Sequence, residues 1–181
     1  MLRITVPATE MWDDRKEEFV YTEEQTLELE HSLVSLQTWE SKWHQAFFSK
    51  YREKTDEEIF DYIRCMTLTP NVEPEVYGCL TRHNINQIVE YINEPMTATV
   101  LPKSNGGANS RETVTAELIY YWMIALNIPF ECETWHINRL LTLVGVCNVK
   151  NSPPKKMSTR ELMNRNASLN AQRKAQLNTR G

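Results

Sequence analysis

The sequence is poor in the features that mark fibrous, secreted and membrane-spanning proteins. Five glycines and eight prolines in 181 residues are too few for a low-complexity or fibrous chain. The longest apolar run, residues 118–126, has nine residues, whereas a membrane-spanning helix needs about 20. The first residues lack the apolar stretch behind a basic start that marks a secretory signal. We therefore expect one globular domain with an appendage, in a reducing cytoplasm and with no membrane span.

Motifs for catalysis, phosphate binding and metal binding are also missing. There is no Gly-x-Ser-x-Gly elbow, no HExxH motif and no glycine-rich nucleotide-binding loop. The four cysteines form no CxxC pair, and we predict that they are free, buried thiols. Cys132 and His136 lie four residues apart, but two ligands do not make the usual tetrahedral zinc site. The sequence thus predicts no catalytic residue, cofactor or metal. If the protein were an unfamiliar enzyme, the first suspects would be Cys132, Glu133 and His136.

What the sequence does contain is an uneven distribution of charge. The net charge is −4, but residues 155–181 carry seven basic residues against one acidic residue, a net charge of +6, which leaves −10 on residues 1–154. With few large apolar side chains, residues 151–181 are predicted to form a basic tail that is partly helical or flexible. Arg173 and Lys174 are expected to be exposed. The residues predicted to contact a partner are Lys155, Lys156, Arg173 and Lys174.

The sequence leaves open whether this basic tail binds a protein, binds nucleic acid or stays solvated without a partner. Seven cations suit an acidic protein surface, including the acidic body of another copy of the chain, and they also suit phosphates. Protein is favoured because the tail has no aromatic residue to stack on bases. Ser158 and Glu161 form a capping box, which predicts that a helix begins there.

Residues 1–31 are predicted to form a small β-element packed on the rest of the protein. Apolar residues alternate with polar ones at Leu2, Ile4 and Val6, and again at Leu27 and Leu29, which is the pattern of half-buried strands. The β-prone residues 19–22 lie between these stretches. We predict that they pair with one of them.

Residues 32–150 are predicted to form a helical core domain, so the expected fold class is mainly α (α+β). Ser32 is a suitable N-cap for a helix whose apolar positions continue at intervals of three and four to Phe47. Thr55 and Glu58 form a capping box ahead of a second helix. Two amphipathic helices are therefore expected in this part of the chain.

Shorter elements are predicted to follow. Residues 74–80 and residues 84–92 have the start signals and apolar spacing of two short helices, the second capped by Asn84. Residues 96–103 read as a strand, and the glycine-containing residues 104–110 as a surface loop.

The most hydrophobic part of the chain is predicted to form a central helical hairpin. Its first helix begins at Ser110, and its second follows the break at residues 127–129. The apolar positions at helical spacing in the first helix are Val114, Leu118, Tyr121, Trp122, Ala125 and Leu126. Those in the second are Trp135, Ile137, Leu140, Leu141, Val144 and Val146.

Three stretches resemble the tail assembly chaperones of long-tailed (siphovirus-type) bacteriophages. They are residues 113–158 (TVTAELIYYWMIALNIPFECETWHINRLLTLVGVCNVKNSPPKKMS), residues 32–43 (SLVSLQTWESKW) and residues 169–181 (LNAQRKAQLNTRG). The resemblance covers nearly the whole chain. It implies a non-enzymatic protein of the infected bacterial cytoplasm, absent from the mature virion, that binds the tape-measure protein during tail morphogenesis and keeps it soluble.

An extended tape-measure protein would need many copies of such a chaperone along its length. We therefore expect self-association, through the basic tail or through the hydrophobic helical hairpin. Two other functions stay open at this point. One is a structural virion protein, such as a head-to-tail connector or a tail-completion component. The other is a nucleic-acid-binding regulator that uses the basic tail.

Overall fold

The fold is mainly α with a small β-element at the N-terminus, as the sequence predicts. The computed structural model describes residues 1–13, 17–49, 51–101, 113–152 and 159–177. The strands are β1 (Leu2–Val6), β2 (Thr9–Asp13), β3 (Glu18–Thr22) and β4 (Gln25–Leu29). The helices are α1 (Leu33–Trp43), α2 (Asp56–Met66), α3 (Pro74–Gly78), α4 (Arg82–Asn93), α5 (Ala116–Ala125), a 3-10 helix (Phe130–Thr134), α6 (Ile137–Asn151) and α7 (Thr159–Leu177). The chain divides into two compact units, Met1–Val149 and Lys150–Gly181.

The β-element consists of two separate antiparallel sheets. Strands β1 and β4 pair with Ile4 opposite Leu27. Their alternating apolar residues face the core as predicted, with Leu2 half-buried and the other four buried. The prediction that residues 19–22 pair with one of these strands is wrong, because they belong to β3, which pairs with β2. Strands β2 and β3 are neighbours in the sequence, so closing their loop costs little conformational entropy.

Four helices begin at a hydroxyl side chain that accepts a hydrogen bond from the backbone N–H three residues later. Ser32, Thr55, Thr81 and Thr115 do this for α1, α2, α4 and α5. The predictions for Ser32 and Thr55 are confirmed. The prediction that Asn84 is the cap of α4 is wrong, since Thr81 is the cap and the Asn84 side chain accepts a hydrogen bond from the Thr81 backbone N–H at 3.1 Å.

Some predicted helix boundaries and one predicted strand are wrong. Helix α1 ends at Trp43 and not near Phe47, because His44 adopts a left-handed conformation with φ of 53°. Helix α3 ends at Gly78, two residues before the predicted end. Residues 96–101 form no strand. The rest of that predicted strand and the predicted loop at residues 104–110 lie outside the described residues. The predicted helix start near Ser110 is wrong, because residues 113–115 are not helical and α5 begins at Ala116, with Thr115 as its cap.

The first hydrophobic cluster lies between the β1–β4 sheet and helices α1, α2 and α4. Leu29 of β4 bridges to Thr67 just after α2, which fixes the sheet against that helix. Trp39 of α1 reaches into the cluster and donates from Nε1 to the Glu58 carbonyl at 2.8 Å. Its buried residues include Ile4, Val6, Leu27, Leu29, Trp39, Tyr62, Ile63, Met66, Val76 and Ile88.

The second hydrophobic cluster contains the two helices that were predicted to form the central hairpin. Helices α5 and α6 share this cluster with α1 and with Cys132 of the 3-10 helix, so the predicted pair does not build it alone. Its buried residues are Leu33, Leu36, Ala116, Ile119, Met123, Ile128, Cys132, Ile137, Leu140 and Val144.

The predicted inward face of α5 is confirmed only in part. Trp122 and Leu126 pack against the second cluster as predicted, but they are not its fully buried residues. Ala116, Ile119 and Met123 are its buried residues, whereas Tyr121 is 63% exposed and Ile124 is 62% exposed. Nearly every residue of this helix is apolar, so the spacing of apolar residues does not identify the buried face.

None of the four cysteines, all of which lie within the described residues, forms a disulfide, as predicted. Cys79 and Cys132 are buried, and Cys65 and Cys147 are half-buried. In the second unit, the predicted tail helix is present as α7, and none of its residues is buried. Its predicted cap, Ser158, lies outside the described residues.

Candidate functional site

The residues predicted to bind a partner are divided between described and undescribed parts of the chain. Arg173 and Lys174 lie side by side near the end of α7, and both are exposed, as predicted. Lys155 and Lys156 lie outside the described residues. Two adjacent exposed cations on a helix can contact an acidic surface without a large desolvation cost.

The three suspects for an unfamiliar active site are each engaged in a structural contact. Cys132 is buried in the 3-10 helix, and burial raises the pKa of its thiol, which disfavours the reactive thiolate. The Glu133 carboxylate accepts a hydrogen bond from the Tyr120 hydroxyl at 2.9 Å. The ring of His136 contacts the Tyr91 carbonyl at 3.0 Å through Nε2. These contacts hold local structure, and they do not resemble a nucleophile with its base.

The structure brings together two buried histidines that are distant in the sequence. The ring centroids of His31 and His136 lie 5.1 Å apart, where the start of α1 meets the start of α6. Ser32 bridges to His136, and the Ile137 backbone N–H donates to the His31 carbonyl at 2.7 Å. The pair therefore lies on the junction between the two hydrophobic clusters. Sequence reasoning missed it because 105 positions separate the two residues.

The hydrogen bonds of His136 and the lowered pKa of buried His31 indicate that both rings are neutral at pH 7. His136 Nε2 faces a carbonyl oxygen, which can only accept, while the Asn138 backbone N–H donates to Nδ1 at 3.3 Å. This pattern fits the neutral tautomer protonated at Nε2. A 2.5 Å hydrogen bond joins His31 Nδ1 and the Tyr62 hydroxyl. Burial, with a smaller contribution from His136, lowers the pKa of His31 to about 3.

A chain of polar contacts continues from the histidine pair to the surface. Tyr91, whose backbone carbonyl contacts His136, donates a hydrogen bond from its hydroxyl to Glu30 Oε1 at 2.6 Å. The other oxygen of Glu30 pairs with the Met1 amino group at 2.7 Å. Burial and the neighbouring Glu30 raise the pKa of the Tyr91 hydroxyl. Each group in this chain has a partner, so the arrangement stabilises the junction and leaves no unpaired group aimed at a substrate.

Glu40 is a second buried polar group with a structural contact at each oxygen. Its Oε1 accepts from the Phe47 backbone N–H, and its Oε2 accepts from the Ala116 backbone N–H, both at 2.7 Å. Burial raises the pKa of this carboxyl group, and the two hydrogen bonds oppose that shift. Glu40 thus fixes the segment after α1 to the N-terminus of α5.

The outer face of α5 is an apolar surface on the first unit. Tyr121, Ile124 and Ala125 are exposed on this helix. Phe130 of the following 3-10 helix is 54% exposed, and its ring lies 6.3 Å from that of Tyr120. We call these four residues (Tyr121, Ile124, Ala125 and Phe130) the α5 face. Large exposed apolar side chains that lie near one another are typical of surfaces that bind a partner.

The β2–β3 hairpin carries a second exposed surface, which is aromatic. Trp12 pairs with Phe19, and Glu10 pairs with Tyr21, so these four side chains project from one face of the hairpin. Trp12 is 49% exposed, and Phe19 and Tyr21 are each 67% exposed. The Trp12 and Phe19 rings meet edge to face at a centroid distance of 5.0 Å. We call Trp12, Phe19 and Tyr21 the aromatic face.

A surface cavity of about 570 Å³ adjoins the hairpin. Its lining includes Tyr21 from the aromatic face and three exposed acidic residues, Glu23, Glu24 and Glu73. Buried Val76 of α3 also lines it. An acidic edge beside an aromatic surface favours a partner that carries both positive charge and apolar side chains.

The described residues contain no group of three or more His, Cys, Asp or Glu side chains placed to hold a metal ion. In the same part of the chain, no helix is long and apolar enough to cross a membrane. Comparison of the chain with protein-family models, with curated proteins and with solved structures gave no match.

Proposed function

We propose that this protein is a non-enzymatic phage tail assembly chaperone that binds the tape-measure protein. The observation that carries the proposal is the α5 face, where Tyr121, Ile124 and Phe130 are more than half exposed. The opposite side of the same helix already fills the second cluster through Ile119 and Met123. The exposed side chains are therefore not needed for the core of this unit and are available to a partner.

The chemistry of the α5 face suits an amphipathic helical partner. A tape-measure protein is a long helical chain, and its apolar stripes stay exposed until tail-tube subunits surround it. An apolar helix face on a chaperone can cover such a stripe, with contacts repeating every three or four residues of the partner. Burying apolar surface of both proteins contributes about 25 cal/mol for each Å² removed from water, and this gain must exceed the entropy lost when the two proteins associate.

The distribution of polar side chains supports binding over catalysis. The buried histidines, Glu40 and Glu133 all have hydrogen-bond partners within the protein. A chaperone needs a stable body and an adhesive surface, and these contacts provide the stable body. The proposed place of action is the cytoplasm of the infected bacterial host.

Co-expression with the tape-measure protein of the same phage tests this proposal. We expect the two proteins to co-purify by affinity pull-down and the tape-measure protein to stay soluble. Ile124→Lys should reduce the recovered tape-measure protein by about tenfold, because it places a charge in an apolar contact. Val100→Lys is the matched control, since Val100 is 91% exposed and lies outside the α5 face.

Equal recovery with the Ile124→Lys and Val100→Lys variants would remove the α5 face from the proposal. Failure of the wild-type chain to bind the tape-measure protein, together with its detection in purified virions by mass spectrometry, would favour a structural virion protein instead. Binding to nucleic acid that weakens steeply with salt and is lost without residues 155–181 would favour the regulator.

A further inference from the structure

The aromatic face of the β2–β3 hairpin points away from the rest of its unit. The opposite side of the hairpin packs against the end of α3. There, buried Thr22 lies with its hydroxyl 3.2 Å from Sγ of Cys79, the residue that follows α3. Along a hairpin, the side chains of successive cross-strand pairs project alternately from one side and from the other. The side that carries Trp12, Phe19 and Tyr21 is therefore unpartnered in the described part of the chain, although it holds three large aromatic side chains.

The hairpin is strongly acidic as well as aromatic. Residues 9–24 contain seven acidic residues and two basic residues, a net charge of −5. Glu10 lies on the aromatic face beside Tyr21, and Glu23 and Glu24 line the adjoining cavity. A partner for this surface must combine apolar contact area with positive charge, because a neutral or acidic apolar surface would leave the carboxylates uncompensated.

Helix α7 has the complementary composition. Residues 159–177 contain four basic residues and one acidic residue, a net charge of +3. Every residue of the helix is exposed. The large apolar side chains that it leaves exposed are Leu162, Met163, Leu169 and Leu177. A helix with no buried residue receives no stabilisation from packing, and isolated helices of this length are marginal in water.

We propose that the aromatic face of the hairpin, with its acidic rim, is the docking site for helix α7 of a second copy of this chain. Arg173 and Lys174 lie against the carboxylates of Glu23 and Glu24, and the leucine side chains of α7 cover the aromatic rings. Two such contacts, related by a two-fold axis, make a dimer, and contacts that do not close make a longer array. This docking does not depend on the identity of any other partner.

Sedimentation velocity of the purified full chain, over a range of concentrations and at low and high salt, tests this proposal. We expect species of at least twice the 21.2 kDa monomer mass, with a dissociation constant that rises with salt because opposite charges face each other. Tyr21→Ser should weaken association by about tenfold through lost aromatic contact. Tyr51→Ser, at a tyrosine that is 85% exposed outside this surface, should leave association unchanged.

A charge exchange gives a sharper test. One variant carries Arg173→Glu and Lys174→Glu, and the other carries Glu23→Lys and Glu24→Lys. Each alone should associate about tenfold more weakly than the wild type, because like charges then oppose one another. The equimolar mixture should recover association, since the basic tail of one variant meets the acidic hairpin of the other.

Three results would overturn the proposal. The first is a wild-type chain that stays monomeric at all concentrations. The second is association that Tyr21→Ser and Tyr51→Ser affect equally, and the third is a mixture of charge variants no tighter than either alone. Because these measurements use the purified chain only, their failure is distinguishable from a failure to bind the tape-measure protein.

Discussion

Acidification should destabilise this protein through His31, and the size of the effect follows from its burial. The pKa of this histidine falls from 6.5 to about 3 in the folded protein. Between these two values the unfolded chain binds one more proton than the folded chain. The free energy of unfolding therefore decreases by about 1.4 kcal/mol per pH unit as the pH falls below 6.5. At pH 5.0 the loss amounts to about 2 kcal/mol, and His136, whose pKa is also lowered, adds to it in the same direction.

Urea unfolding followed by circular dichroism at pH 7.5 and pH 5.0 measures this effect. The wild type should lose about 2 kcal/mol more between the two pH values than His31→Gln, which keeps a polar side chain near Tyr62 but cannot be protonated. The raised pKa of Glu40 acts in the opposite direction, but it is common to both proteins and cancels in the difference. His83→Gln, at an exposed histidine of α4, is the matched control and should behave as the wild type does. Equal losses in the wild type and His31→Gln would refute the reasoning.

Two further outcomes follow from the contacts of Glu40 and from the orientation of α5. Glu40→Ala should lower the free energy of unfolding at pH 7 by about 2–4 kcal/mol, measured by urea titration, because two backbone N–H groups lose their acceptor. Glu40→Gln keeps one carbonyl oxygen and should cost less. Equal costs for the two variants would contradict the role of Glu40 as acceptor of both hydrogen bonds. Met123→Ala should cost about 2–5 kcal/mol because it opens a cavity in the second cluster. Ile124→Ala should cost less than about 1 kcal/mol in the same assay, and the reverse order would contradict the burial of Met123.

The parts of the fold that could be predicted from the sequence depend on short-range signals. The hydroxyl of Thr55 and the carboxylate of Glu58 satisfy each other's backbone N–H groups within one turn, so the start of α2 is encoded locally. The alternation of apolar and polar residues in β1 and β4 likewise indicates that one side of each strand is buried. The end of α1 was not predictable in this way, because the left-handed turn at His44 accompanies a contact between the Glu40 side chain and a distant backbone group at Ala116.

The candidate surfaces show the same limit. The basic character of α7 is visible in the sequence, and so is the exposure of Arg173. The buried face of α5 was not, since apolar residues on all sides of a helix leave its orientation to tertiary packing. The aromatic face required the register that places Trp12 opposite Phe19. Register follows from which strands pair, and the sequence left that pairing ambiguous.

Helix α1 contributes to both hydrophobic clusters, and this sharing bears on how the first unit unfolds. Trp39 belongs to the first cluster, Leu33 and Leu36 belong to the second, and Phe47 just beyond the helix packs against both. Separating either cluster from α1 would expose apolar side chains of this helix. Loss of α1 from its place would also open the other cluster, because both clusters pack against the same helix. Heat or denaturant should therefore melt residues 1–149 in one cooperative transition. The amide protons of α1 should exchange with solvent only through that global opening, and should be among the slowest in the protein.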